Sequence, residues 1–442
     1  MSLAVTDPDI YAMLERERAR QRDGVELIPS ENYVSPAVLE AMGSILTNKY
    51  SEGYPGRRYY GGNEVVDEVE RLAQSRAQAL FGVPHANVQP YSGSPANLAV
   101  YMAVCQPGDV VLGQNLLDGG HLTHGWKVNA TGIYYRSVPY HVRRDGYIDM
   151  DEVWRLARAH RPKLIWCGAT AYVREFPFAQ FAQIAEEVGA YLAADMCHIA
   201  GLIVGGVHPS PVPHAHIITT TTHKTLRGPR GALILVTDRG LARDRDLADR
   251  IDRAVFPGLQ GGPHDHTTAA IAVALGEALQ PAFRQYAAQV VANAKAMGQA
   301  LAEHGFALVT GGTDVHMLLI DLSPTGPGRG IFMQEALDAA GITVNKNTIP
   351  GEPSSAFYPS GIRVGTPAAT TRGMREPEMI QIAEWIAQVR NEIAEFQLPA
   401  DREARGEVLR RFRAFVRGNA RLARIRTDVR ALCRRFPVPG IP

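Results

Sequence analysis

Apolar positions along this chain follow two rhythms, and the switch between them sketches the architecture. In residues 7–23, Ile10, Met13 and Leu14 fall on one face of a 3.6-residue period, which predicts an amphipathic helix. Residues 64–81 repeat that pattern after a loop-rich stretch containing SENYVSP and NKYSEGYPGRRYYGG. Beyond them, short apolar runs alternate with helical segments. ANVQP, DVVLG, KLIWCG, AYLAAD, HIITTTT and GALILV read as strands, with helices at 95–105, 150–160 and 178–188. Strands that alternate with helices predict an α/β fold with a mainly parallel sheet covered on both faces. A long helical region at about 265–303 precedes a second βαβ-like set, in which ALVTGG, HMLLIDL, GITVN and GIRVGTP are the strands. The expected organisation is a helical arm over 1–24, a large domain over 25–280 and a smaller α/β domain over 281–442. The arginine-rich helical stretch 401–434 reads as a solvated helix face.

Composition narrows the class. The length of 442 residues exceeds a single ordinary core and favours two domains. Hydrophobic residues make up 45% and charged residues 21%, as in ordinary globular proteins. A formal net charge of +1 argues against a general nucleic-acid or anionic-membrane role. There is no apolar run of membrane-spanning length and no apolar signal core at the N-terminus. Cys105, Cys167, Cys197 and Cys433 are scattered without CxxC spacing, so neither a zinc site nor a disulfide framework is expected and a reducing cytoplasm fits.

The stretch TTTTHKTLRGPRG at 219–231 carries the first chemical signal. Its threonines favour an extended backbone. Lys224 therefore follows a strand at its carboxyl end, the sheet edge where open α/β folds bind ligands. Such a lysine can be a carbonyl-binding nucleophile, a phosphate contact or a surface charge. Asp195 ends the apolar run AYLAAD, about one crossover earlier, and His198 follows it. A lysine and an aspartate at one sheet edge are what pyridoxal phosphate requires: an amine for its aldehyde and a carboxylate for its ring nitrogen. Ser92, Gly93 and Ser94 open a helix ahead of Pro95, a start suited to a phosphate group. Neither a P-loop nor a GxGxxG run is present. Arg363, in SGIRVGTP, could hold a carboxylate with two hydrogen bonds. Glu52 lies among Tyr50, Tyr54, Tyr59 and Tyr60, and a carboxyl group among aromatic rings suits proton transfer. His121, His124, His264 and His266 lack a third ligand at metal-binding spacing, and no metal is expected. An imidazole lying over a cofactor ring accounts better for His121.

The motifs LTNKYSEGYPGRRYYGG, GGHLTHG, DMCHIAGLI, HPSPVPHAHIITTTTHKTLRGPRG, VFPGLQGGP, VNKNTIP and SGIRVGTPA resemble those of serine hydroxymethyltransferases, over about residues 7–437. That resemblance implies a fold type I pyridoxal-phosphate enzyme with a seven-stranded sheet. It implies reversible conversion of L-serine and tetrahydrofolate to glycine and 5,10-methylenetetrahydrofolate. Lys224 would bond to the cofactor, with His223 and Thr221 beside it. Asp195 would pair with the ring nitrogen, His198 would lie alongside, and His121 would stack on the ring. Ser92, Gly93 and Ser94 would bind the phosphate, completed by Gly261 and Gly262 of a neighbouring subunit, with Thr170 near cofactor and substrate. Arg363 and Ser30 would clamp the substrate carboxylate. Glu52, Tyr50 and Tyr60 would form the proton-transfer and substrate cluster, Glu52 and Tyr50 reaching across the interface of a homodimer. Leu116, Gly120, Leu122, Tyr59 and Asn347 would contact the folate. Departures from the family pattern are Thr170 for a usual serine, Pro177 for an acidic residue, Pro95 for glutamine, Pro29 for a small residue and Cys197 for alanine. They bear on substrate preference. An α-methylserine enzyme or a folate-independent aldolase for β-hydroxy amino acids would keep the same core.

Overall fold

The computed structural model describes residues 2–441 and divides into two compact units, Val34–Ala288 and a second made of the chain up to Tyr33 together with the stretch from Gln289 onward. The helix Pro281–Glu303 runs from one into the other. Among the described residues no helix is long and apolar enough to cross a membrane.

The Val34–Ala288 unit is built on a seven-stranded sheet. Its strands are β1 (His85–Asn87), β2 (Val110–Gln114), β3 (Arg136–Tyr140), β4 (Leu164–Cys167), β5 (Tyr191–Asp195), β6 (Ile217–Thr221) and β7 (Ala232–Val236), in the spatial order β1-β7-β6-β5-β4-β2-β3. The pairs from β3 through β6 are parallel, whereas β7 is antiparallel to both β6 and β1. Strands β4 to β7 are buried at every position, which is why they read as continuous apolar runs rather than alternating ones. One face of the sheet packs Leu164, Trp166, Ala193, Ile217 and Ile234 against Ala96, Val100 and Tyr101 of the helix Gly93–Val104. Strand β3, RSVPY, has no counterpart in the apolar pattern. It lies at the sheet edge, is only partly buried and contains Pro139, whose missing N–H an edge position tolerates.

In the second unit the strands β8 (Ala307–Leu308), β9 (Met317–Asp321), β10 (Asn345–Asn347) and β11 (Gly361–Gly365) form an antiparallel sheet in the order β8-β9-β11-β10. This corrects the expected βαβ-like arrangement. Apolar runs report burial, not pairing direction. The run ALVTGG is also shorter than expected, turning into a 3-10 segment at Val309–Gly311, and GITVN splits. Its Ile342–Thr343 pairs in parallel with Val25–Glu26, while the strand beside β11 begins at Asn345. Helices cover this sheet with a core that includes Leu27, Ile320, Phe332, Val364, Ile386, Phe412 and Val429. The arginine-rich region forms two helices, Arg402–Gly418 and Ala420–Arg435, which bury Leu409, Phe412, Leu422 and Ile425 and leave most arginines exposed. The helix Pro8–Asp23 starts on an Asp7 cap and buries none of its residues, so its stripe of Ile10, Met13 and Leu14 is about half exposed.

Arg372 is buried and gives all its N–H groups to main-chain carbonyls. Nε donates to Phe436 (2.6 Å), Nη1 to Gln21 (3.3 Å) and Gly24 (2.8 Å), and Nη2 to Arg22 and Cys433 (2.9 Å each). These carbonyls lie at the C-terminal ends of Pro8–Asp23 and Ala420–Arg435, where helix dipoles favour a cation. Replacing Arg372 with Met orphans them and is expected to destabilise the protein by about 3 kcal/mol. A denaturation midpoint unchanged by that substitution would contradict the reading.

Candidate active site

The parallel register sets Asp195 opposite Thr219, so β5 and β6 end at the same edge and the segment leaving β6 starts beside Asp195. That segment is a tight loop. The Thr222 N–H donates to the Gly231 carbonyl at 3.1 Å, the Gly228 N–H to the Thr222 carbonyl at 2.7 Å, and the Thr222 hydroxyl to the Pro229 carbonyl at 2.6 Å. Arg227 takes a left-handed conformation (φ 57°), and its guanidinium rests on the Tyr286 ring at 4.2 Å. Held in this loop, Lys224 is partly buried, and its Nζ donates to the Thr221 hydroxyl at 2.8 Å. His223 beside it is pushed down to about 3, by burial first and by the Lys224 charge second, and its buried Nδ1 has no hydrogen-bond partner.

Asp195 is buried and held by three donors. Oδ2 accepts from Asn97 Nδ2 at 2.9 Å and from His124 Nε2 at 3.1 Å, and Oδ1 accepts from the Cys197 N–H at 3.1 Å. Burial pushes its pKa up, but the hydrogen bond and charge of His124 outweigh this and hold the carboxyl below the usual carboxylate range. The donors are themselves fixed. Asn97 gives its second N–H to Thr123 (2.8 Å) and accepts from Thr219 (2.7 Å), and His124 stacks on Trp166 at 5.2 Å. Sequence reasoning did not assign Asn97, Thr123 or His124 to this role. Asn97 could have been found as a buried amide within the apolar run PANLAVYMAV, which needs polar partners somewhere.

Around this pair the structure gathers the other expected cofactor residues. Ser92, Gly93 and Ser94 begin the helix Gly93–Val104 with no side chain capping it, so its first N–H groups and dipole are open to an anion. A Cβ on Gly93 would lie 2.9 Å from Thr221 Cγ2 and 3.7 Å from Cys197 Sγ, which places this turn against the lysine loop. His121 Nδ1 lies 2.7 Å from the Thr123 hydroxyl, and burial pushes the imidazole down to about 4, so it is neutral at pH 7. The Thr170 N–H donates to the Gly119 carbonyl at 2.7 Å, zipping its loop to the segment that carries His121. His198 is buried, and its carbonyl accepts from Thr225, the neighbour of Lys224. Burial pushes the Cys197 thiol up to about 12, which leaves it a packing group and not a nucleophile.

A second cluster forms in the same unit. The Tyr50 hydroxyl donates to Glu52 Oε1 at 3.2 Å, and the Tyr50 and Tyr60 rings meet edge to face at 4.9 Å. A Cβ on Gly261 would come within 3.1 Å of Glu52 Oε1, and one on Gly262 within 3.3 Å of the Tyr50 ring. Tyr91, the residue before Ser92, donates its hydroxyl to the Gly262 carbonyl at 2.8 Å and stacks on His264 at 4.1 Å. Tyr50, Tyr59 and Tyr60 are 48–75% exposed, unusual for three adjacent large rings. Leu116 and Leu122 sit on short 3-10 turns flanking Gly120, where any Cβ would strike the Gln114 carbonyl at 2.1 Å.

Arg363, Ser30 and Asn347 belong to the other unit. Arg363 sits in the middle of β11, buried, with its Nε–H donated to Asn345 Oδ1 at 3.1 Å. Burial pushes it down to about 10, so it keeps its charge at neutral pH. Pro29, the residue before Ser30, packs on Gly365 at the end of the same strand, and the Gly365 N–H donates to the Leu27 carbonyl at 2.7 Å. Asn347, on β10, turns its amide N–H to the Thr348 carbonyl at 2.7 Å.

These residues fit pyridoxal phosphate. Asp195 is ionised with lone-pair capacity beyond its three donors, an amine stands on the adjoining strand end, and an uncapped helix start faces the same edge. A sequence model of the serine hydroxymethyltransferase family matches residues 3–386. The serine hydroxymethyltransferase of Acidothermus cellulolyticus is 56% identical over 441 residues, covering 100% of this chain and 97% of that protein. Those of Sorangium cellulosum and Paracoccus denitrificans are 55% and 54% identical, over 100% and 98% of this chain and 97% and 96% of their own lengths. The chain belongs to the serine hydroxymethyltransferase family.

Proposed function

We propose that this protein transfers the hydroxymethyl group of L-serine to tetrahydrofolate reversibly, giving glycine and 5,10-methylenetetrahydrofolate, with pyridoxal phosphate as cofactor. The observation that carries this reading is the pairing of Lys224 with an ionised, triply held Asp195 at one sheet edge, in a chain of this family. When bound, the cofactor supplies an aldehyde for amines and a ring that accepts the electron pair left by carbon–carbon cleavage. Lys224 would be the amine that holds that aldehyde. Asp195 would hold the proton on the ring nitrogen, and the neutral imidazole of His121 would pack beside the ring. The N–H groups at Gly93 and Ser94 would hold the phosphate.

Arg363 and Ser30 would bind the substrate carboxylate and so orient its α-carbon for cleavage. Glu52, hydrogen-bonded to Tyr50, moves the proton at the hydroxymethyl oxygen, with Tyr60 beside it. The exposed rings of Tyr50, Tyr59 and Tyr60, with half-buried Glu52, Gly261 and Gly262 beside them, are offered to a second copy of the chain, so that a homodimer shares its sites. Leu116, Gly120, Leu122, Tyr59 and Asn347 receive the folate.

Serine turnover measured with and without tetrahydrofolate tests the reading, with α-methylserine and allo-threonine as competitors. Glycine formation that depends on folate is expected. Cleavage indifferent to folate would point to an aldolase instead. Arg363→Ala is expected to raise the KM for serine about 100-fold or more, because a buried charge pair loses one partner, while cofactor affinity stays as it was. Unchanged serine affinity would refute the clamp.

A further inference from the structure

The backbone that carries Glu52 is held from beneath by a side chain that the mechanism above does not use. Arg58 is 4% exposed. Its Nη1 donates to the carbonyls of Ser51 and Gly53, each at 2.9 Å, the residues that flank Glu52 in the chain. Its remaining donors are anchored on a helix, Glu64–Phe81: Nε on Asp67 Oδ1 at 2.9 Å and Nη2 on Glu70 Oε2 at 2.6 Å. Asp67 and Glu70 are three residues apart and so share one helix face. Each carboxylate is fixed again from its other side. Asp67 Oδ2 accepts from the Gly56 N–H at 2.6 Å, and Glu70 Oε1 accepts from Gln89 Nε2 at 2.9 Å. The same Gln89 amide donates to the Gly53 carbonyl at 2.9 Å. Gly53 itself has φ 99° and no room for a side chain, since a Cβ would lie 2.3 Å from the Arg57 carbonyl. The Tyr59 N–H closes the loop on the Glu52 carbonyl at 3.0 Å, and the Ser51 hydroxyl ties it to Asp265 at 2.6 Å.

An ion cluster this buried is an expensive way to stabilise a fold, because desolvation offsets much of the attraction. Its geometry converges on one residue of the loop. We propose that Arg58 is a positioning residue for the reaction: by gripping the carbonyls of Ser51 and Gly53, the residues before and after Glu52, it aims the Glu52 carboxyl at the hydroxymethyl oxygen of serine. The proposal rests on the role given to Glu52 above. It also accounts for the residue type. Two carbonyls and two carboxylates at fixed angles match a planar guanidinium, whereas the point charge of a lysine cannot reach all four.

A double-mutant cycle on the holoenzyme tests it, with cofactor absorbance and melting temperature as controls. Glu52→Gln is expected to lower kcat about 100-fold or more. Arg58→Lys, which keeps the charge, is expected to lower kcat roughly 10- to 100-fold through misplacement, with cofactor affinity unchanged. In the Glu52→Gln background, Arg58→Lys should cost less than about 2-fold further, because it acts through a group already removed. A full multiplicative loss in that background, or wild-type kcat in Arg58→Lys alone, would overturn this inference and leave the role of Glu52 standing. Wild-type kcat in Glu52→Gln would overturn both. Should Arg58→Lys fail to fold, Glu70→Gln keeps the shape of the anchor, weakens its hold on Arg58 and decides by the same cycle.

Discussion

Lys224→Ala is expected to retain the fold and lose steady-state turnover, by about 10⁴-fold or more. The size follows from tethering. An amine fixed at the reacting group acts at an effective concentration of roughly 10⁵ M or above, and no free amine in the buffer replaces it. The fold should survive because Nζ donates to the Thr221 hydroxyl in a partly buried contact, while the loop is closed by the Thr222 hydroxyl and by the main chain of Thr222, Gly228, Pro229 and Gly231. Far-ultraviolet circular dichroism together with serine turnover checks both halves. Turnover within tenfold of the wild type would remove Lys224 from its assigned role.

The second large effect is expected at Asp195. Asp195→Asn removes the charge proposed to hold a proton on the ring nitrogen and should lower kcat about 10³-fold, the range seen when one preorganised electrostatic partner is deleted. The substitution also leaves a mismatch. The donors of Asn97, His124 and Cys197 all point at carboxylate oxygens, and an amide places an N–H where one of them needs an acceptor. A stability loss of about 1–3 kcal/mol is therefore expected beside the kinetic one. The absorbance of bound cofactor should shift as well, since the ring loses its charge partner. A variant with wild-type kcat and spectrum would show that Asp195 does not face the ring nitrogen.

The sheet edge that carries these two residues was readable from the chain because it depends on local signals. An apolar run stops at Asp195, a β-branched run stops short of Lys224, and parallel strands with their helices on both faces must end on the same side. The glycine and proline pattern after Lys224 likewise marks a tight turn whatever the tertiary context. What escaped depends on partners far along the chain. Asn97 and His124 meet Asp195 across 98 and 71 residues, and Arg372 reaches the Gln21, Arg22 and Gly24 carbonyls across 348–351. A main-chain carbonyl has no residue type, so an arginine that binds one leaves no trace in the sequence of its partner. Strand β3 escaped for the opposite reason: with Arg136 exposed, Ser137 and Pro139 in it, the segment has no apolar or β-branched run to reveal an edge strand. The direction of pairing in the smaller sheet is a property of connection order, which periodicity cannot carry.

The roles of Arg363, Glu52 and Arg58 presuppose one chemical anchor. Incubating the protein with pyridoxal phosphate, reducing it with borohydride and mapping the labelled peptide tests that anchor directly. The label is expected on Lys224 alone, in the peptide containing THKTLR; a label on another residue, or none, would contradict the account.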